Sequence, residues 1–379
     1  MAELKPTPGF AARRYLTLWA VALLLLSSGC TSLGPRAVKW ERTPYNLAIQ
    51  ETQDTQLLLN LVRLKYRDTP VFLELDSIAS QFTFQSSLGN GDSALAEVSD
   101  GSVVWKPGLN VTFSNQPTIT YAPLQGEKFA QLLLSQLKIE NVMLFYRSGW
   151  PLKRILNLCV QKLNRVENAV RAAGPTPGRT PKYEDFAGVV ELMTGLNQRG
   201  YLDLVYETPP KTGETPRIAM HINREALDFP ETRQLCKRLG LAPGKIHYPV
   251  TYQVVEDPEK GELDHLEVET RSVLGTLFFL SQGVEAPAID VEAGRVTVTR
   301  TETGEVLDWR KVVSQLRIQS SPSRPADAAA SVWYRGSWFF IEDTDLSSKS
   351  TFALLTQLVA LQSGEVTRLA PVLTLPVGR

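Results

Sequence analysis

Residues 331–362 read SVWYRGSWFFIEDTDLSSKSTFALLTQLVALQ, and the class of the fold is written in them. Ser331–Tyr334 and Trp338–Glu342 are short runs rich in β-branched and aromatic residues, split by Arg335-Gly336, which predicts two strands joined by a tight turn. Leu346–Gln362 then carries apolar residues at helical spacing, and Val372–Leu375 closes the chain as a strand. Trp333, Tyr334, Trp338, Phe339 and Phe340 place five aromatics in eight residues. Aromatics on both strand faces predict a hairpin buried on both sides. The functional alternative is a platform for a partner, since rigid aromatics make good anchors.

The same alternation of short strands and amphipathic helices runs upstream. A helix is expected from Tyr45 to Tyr66, with Leu57, Leu58, Leu61, Val62 and Leu64 on its apolar side. Period-two alternation from Ile78 to Gln85 predicts a strand, Gly89-Asn90-Gly91-Asp92 a turn, and Val103–Trp105, Asn110–Phe113 and Thr118–Tyr121 further strands. Pro117 puts the last of these at an edge. Helices are expected at Gly126–Leu137, Pro151–Val170, Tyr183–Arg199, Pro230–Leu239 and Arg271–Gln282. Strands are expected at Tyr201–Tyr206, Arg217–Ile222, Val250–Val255 and Leu263–Glu269, the last two as a hairpin across Asp257–Gly261. Gln56–Leu64 and Ala353–Leu361 match at five of nine positions, as Leu-rich amphipathic helices readily do. Without regular βαβ alternation, the order of elements implies an α+β fold of mixed short strands, hairpins and amphipathic helices in two or three subdomains.

The N-terminus speaks to location. Lys5, Arg13 and Arg14 precede Tyr15–Leu26, an apolar run of twelve residues with Thr17 as its clearly polar member. This is a signal-peptide pattern, too short for a membrane span of about 20 residues. It ends in Leu26-Ser27-Ser28-Gly29-Cys30, which resembles the lipobox of bacterial lipoproteins, where small residues precede a Cys that receives lipid. The resemblance departs at Ser27, where the family usually has Leu, and plain secretion or an uncleaved anchor are the alternatives. Arg13-Arg14 also has a faint likeness to a twin-arginine signal. By the resemblance, Cys30 carries diacylglyceryl and acyl (palmitate-type) chains, and several chains anchor where one holds only marginally. Thr31, in place of the Asp that retains many such proteins at the inner membrane, implies the periplasmic face of the outer membrane. Cleavage before Cys30 leaves 37 basic and 39 acidic residues.

The domain order expected is a signal at 1–29, a tether at 30–43 able to extend about 40 Å, an N-terminal α+β domain at 44–172 and a linker at 173–182. A central α+β domain at 183–319, a linker at 320–330 and a hairpin–helix–strand unit at 331–379 follow.

Composition narrows the chemistry. The 379 residues hold 40 basic and 40 acidic groups, so no electrostatic footprint for nucleic acid exists. Three Cys support neither a disulfide scaffold nor a four-Cys zinc site, three scattered His argue against a His-based metal site, and neither metal nor cofactor is expected. An oxidising envelope permits a Cys159–Cys236 disulfide, worth about 4 kcal/mol in the chain-entropy model. However, Leu152, Ile155, Leu156, Cys159, Val160 and Leu163 form one helical stripe, which reads Cys159 as a buried thiol, and Leu235 and Leu239 suggest the same for Cys236.

Ser135-Gln136-Leu137-Lys138 with Lys211-Thr212-Gly213 has the outline of the S-x-x-K and K-T-G motifs of penicillin-interacting enzymes, without the middle motif. Asp343-Thr344-Asp345-Leu346-Ser347 opens like a calcium loop, yet Ser348 and Leu354 stand where that loop needs Gly and Glu, and helix capping accounts for the acids. Glu256–Glu269 reads as a solvated acidic turn, and His221, His247 and His265 as surface or locally bonded residues. The sequence therefore points to a lipid-anchored envelope protein, non-enzymatic, with an envelope protein partner. A lipid-anchored hydrolase and a solute-binding lipoprotein are the alternatives.

Overall fold

A computed structural model describes residues 33–90, 107–123, 127–173, 180–207, 217–252, 261–363 and 373–376. The chain divides into two compact units, Met1–Asp54 and Thr55–Arg379. In the first, the described part is the start of helix α1 (Leu33–Lys65), which continues into the second. Residues 33–43, read from sequence as an extended tether, are thus helical, and Pro44 sits inside the helix. Pro44 removes one backbone donor and its ring presses on the carbonyl four residues earlier, a cost of about 3 kcal/mol to the helix. Everything below concerns the second unit.

The fold is α+β. Strands β1 (Leu73–Asn90) and β2 (Pro107–Pro123) form a long antiparallel ribbon. The two separate strands expected within β2 are one. Pro117 does not lie in an edge strand, because a late strand, Leu373–Pro376, pairs with β2 on its other side. That pairing stops at Thr118, so Pro117 meets no neighbour there, as its missing N–H requires.

Helices α2 (Glu127–Leu134), α3 (Ile139–Arg147) and α4 (Leu152–Cys159) follow. The single helix expected over Pro151–Val170 ends at Cys159. Beyond it β3 (Val160–Leu163) turns through Asn164-Arg165 into β4 (Val166–Glu167). Asn164 takes φ +49°, a left-handed conformation that Asn tolerates and a helix interior excludes.

Helix α5 (Glu184–Gln198) stops at Gly200, φ +76°, and leads through β5 (Leu202–Glu207) and β6 (Arg217–Ile222) to α6 (Pro230–Leu239). Strands β7 (His247–Thr251) and β8 (Leu266–Thr270) are neighbours, but parallel rather than the expected hairpin. The reason lies at Leu263. Its N–H donates to Gly240 O and its carbonyl accepts from Ala242 N, both at 2.8 Å. The chain is thereby returned beside the end of α6 before β8 begins. The sheet order is β4-β3-β8-β7-β6-β5.

One face of this sheet packs against α3, α4 and α5. Ile139, Met143, Ile155 and Met193 from the helices meet Leu204, Ile218, Leu266 and Val268 from the strands around a wholly apolar cavity of about 30 Å³, room for one water and no larger solute.

Helix α7 (Val273–Ser281) follows, capped by Ser272 Oγ accepting from Gly275 N at 3.0 Å. Short helices α8 (Ala288–Glu292) and α9 (Trp309–Val312) lead to β9 (Gln319–Ser321), β10 (Ala328–Tyr334) and β11 (Ser337–Glu342), a second three-stranded sheet in the order β10-β11-β9. The segment 320–330, read as a linker, therefore begins and ends in strands. Helix α10 (Leu346–Ser363) and β12 (Leu373–Pro376) complete the chain. Leu57, Leu58 and Leu61 of α1 and Leu354, Leu355 and Leu358 of α10 belong to the same buried cluster as the sheet residues. No helix among the described residues is long and apolar enough to cross a membrane.

Candidate functional site

Cys30, the lipidation position, and the signal around it lie outside the described residues. Cys159 and Cys236 are both free and buried, so the disulfide considered from sequence is not formed. Cys159 sits in the apolar stripe of α4, and burial pushes its thiol up to about 12 against the pull of Arg271. Cys236 faces the Tyr248 hydroxyl at 3.7 Å, and burial raises its thiol as well. Neither thiol is activated.

Beside Cys159 lies a group that sequence reading missed. Arg271 is fully buried without a carboxylate. Its guanidinium donates through Nη1 to the carbonyls of Asn157 at 2.8 Å and Val160 at 3.1 Å, and through Nη2 to that of Asn168. The first two belong to the open end of α4, where carbonyls lack helical partners and the dipole is negative. Phe279 lies 4.0 Å beneath the guanidinium carbon. Burial lowers this guanidinium to about 9, which leaves it charged at neutral pH. The arginine is an internal cap for α4, with no path to a substrate.

The richest polar cluster gathers where α1 ends. Tyr66 donates to Asp290 of α8, which also accepts from Arg295 at 2.6 Å. Tyr334 and Arg335, at the β10–β11 turn, both donate to Asp68. Tyr66 and Tyr334 meet edge to face at 5.7 Å, and the Arg335 guanidinium lies over both rings. Burial works against ionisation of Asp290 and Asp68, but the donated hydrogen bonds and the Arg295 and Arg335 charges outweigh it and hold both carboxyls below their usual range. Burial, with the Asp290 carboxylate, pushes the Tyr66 phenol up. Two ionised carboxylates and two protonated phenols, each consumed by the other, provide no general acid or base at neutral pH. The cluster joins three elements that are distant in sequence.

The aromatic hairpin is buried on one face rather than two. Val332, Phe339 and Ile341 point into the core, with Tyr334 packed against it. The other face carries Trp333, 50% exposed, its cross-strand partner Trp338, and Phe340. The two indoles are 5.6 Å apart and tilted by 60°, and Arg324 lies 5.3 Å over Trp338. The register explains the division. Trp333 opposes Trp338 and Ser331 opposes Phe340, so side chains two apart share a face. Arg335 at φ +47° and Gly336 at φ +86° build the primed turn that sets this register.

The remaining sequence motifs do not converge. Ser135 follows the last turn of α2, its hydroxyl donating to Leu132 O at 3.1 Å, whereas a nucleophile of the S-x-x-K type belongs at a helix start. Lys211-Thr212-Gly213 lies outside the described residues. Asp345 accepts from Ser348 N at 3.0 Å and Ser348 Oγ at 2.6 Å, capping α10. Among the described residues, no group of three or more His, Cys, Asp or Glu is arranged to hold a metal ion. No protein-family model, curated protein or solved structure matches the chain.

Proposed function

We propose that this chain is a lipid-anchored cell-envelope protein, held through Cys30 at the periplasmic face of the outer membrane. There it acts without catalysis as an assembly partner for another envelope protein. The observation that carries the partner role is the outward face of the second sheet. Trp333, Trp338 and Phe340 stand side by side on a scaffold whose opposite face is locked into the core. Large aromatics held rigidly at a surface give contact area at little entropic cost, and they dominate protein interfaces. Arg324, stacked on Trp338, adds a guanidinium of the kind enriched there.

The test places a photo-crosslinking amino acid at Trp333 in cells and fractionates their membranes. A discrete crosslinked complex, lost when Cys30→Ser releases the protein from membranes, is expected. Recovery of monomer alone from Trp333 overturns the partner role, and unchanged membrane pelleting of Cys30→Ser overturns the anchor.

A further inference from the structure

The face of the six-stranded sheet turned away from α3, α4 and α5 holds a second arrangement. His221 of β6 and His247 of β7 are direct cross-strand partners. Their rings face each other with centroids 4.7 Å apart, tilted by 54°. Opposed side chains in an antiparallel pair project to the same side of the sheet, so both imidazoles leave the backbone in one direction. Glu207 of β5 reaches the Nδ1 of His247 at 2.6 Å. A carboxylate on Nδ1 holds the ring proton there and leaves the lone pair on Nε2 outward. The His247 side chain is half exposed and Glu207 a third exposed, so solvent reaches the pair.

We propose that His221 and His247 form a two-point chelate for a borderline divalent transition metal such as Zn²⁺, Ni²⁺ or Cu²⁺. Glu207 orients the ligand from behind. Neutral imidazole suits these ions and not Ca²⁺ or Mg²⁺, which require oxygen donors. A carboxylate on the far nitrogen of a ligating His is the usual device that fixes its tautomer and raises its basicity. Zn–N bonds of about 2.0–2.1 Å put two cis nitrogens a little over 3 Å apart, which two rings at this separation reach by small rotations about χ1 and χ2. Two protein ligands leave the other coordination positions to water or to a donor from outside the chain. The site is therefore an exchangeable one, unlike a closed structural zinc centre. The buried thiols of Cys159 and Cys236 do not compete, since burial keeps both protonated.

The inference is independent of the lipid anchor and of the aromatic face. The test is calorimetric titration of the full chain in detergent, prepared without a histidine tag, with ZnCl₂ and NiCl₂ and with MgCl₂ as control. One saturable site for Zn²⁺ and Ni²⁺ and none for Mg²⁺ is expected. His221→Ala and His247→Ala should each abolish it. Glu207→Gln should weaken it about tenfold or more while circular dichroism stays unchanged. Should an alanine variant fail to fold, His221→Gln and His247→Gln replace it. Cu²⁺ bound to the parent protein must in addition show nitrogen hyperfine structure from two imidazoles by electron paramagnetic resonance. Absence of saturable binding overturns the proposal, as does binding that survives both histidine substitutions or is indifferent to Glu207→Gln.

Discussion

At the scale of single residues, the fold depends most on side chains whose partners lie far away in sequence. Arg271 satisfies carbonyls 103 to 114 positions upstream. Replacing it by Met removes the charge and the side-chain donors to Leu158 O and Asn168 O, each costing about 1–3 kcal/mol, whereas Asn157 O and Val160 O keep the Asn168 amide as donor. Arg271→Met is therefore expected to lose about 2–6 kcal/mol of unfolding free energy in urea, a loss that Arg271→Lys recovers only in part because an ammonium cannot fork. Gly283 is a second such point. A Cβ added there would lie 2.6 Å from Leu316 O and 3.2 Å from Leu280 O, both backbone atoms. Gly283→Ala should cost about 1–3 kcal/mol, read as a lowered Tm. Neither residue announces itself in sequence. Arg271 reads as the polar start of an apolar helix, and Gly283 as the residue after one.

Individual elements were legible wherever a local signal ended them. Arg217–Ile222 and Pro230–Leu239 match their expected bounds, because Pro230 opens the helix and Gly240, φ +65°, closes it. Asp345 was recognisable as a cap for the same local reason. Asp345→Ala should destabilise α10 by about 1 kcal/mol, measurable as a fall in the urea midpoint. Elements decided by distant partners were not legible. The apolar stripe of Leu152–Leu163 continues through Val160, yet β8 takes Val160–Leu163 as a strand partner. The register of β7 and β8 is likewise set by Leu263 against Leu241, outside both strands. The candidate site divides in the same way. The aromatic cluster stood in the sequence, but which aromatics face outward follows from strand register, and the meeting of His221 with His247 from sheet order.

For the whole molecule, the Tyr66–Asp290–Arg295 and Tyr334–Asp68–Arg335 groups make stability depend on pH. A carboxyl held below its usual range stabilises the folded state above the unfolded-state value of about 3.9. That contribution disappears as pH falls through the lower folded value. Tm should therefore be level above about pH 5 and fall steeply below about pH 4. Asp290→Asn should lower the plateau and flatten the acid limb, since it removes one of the two carboxyls whose protonation opposes folding. A level profile that persists to pH 3 would show that the cluster contributes little. By contrast, Trp333→Ser, on the outer face of the second sheet, should leave Tm nearly unchanged while removing the contact proposed for a partner.

The internal arginine cap also bears on the order of assembly. While the chain is synthesised from its N-terminus, α4 and the strands after it emerge about a hundred residues before Arg271 does. The Asn168 amide can meet Asn157 O and Val160 O early, but Leu158 O, Cys159 O and Asn168 O wait for Arg271, and until it arrives they have no partner in a dry interior. A nascent chain stopped short of residue 271 should therefore stay protease-sensitive at α4, β3 and β4, and protection there should appear once β8 and α7 are released.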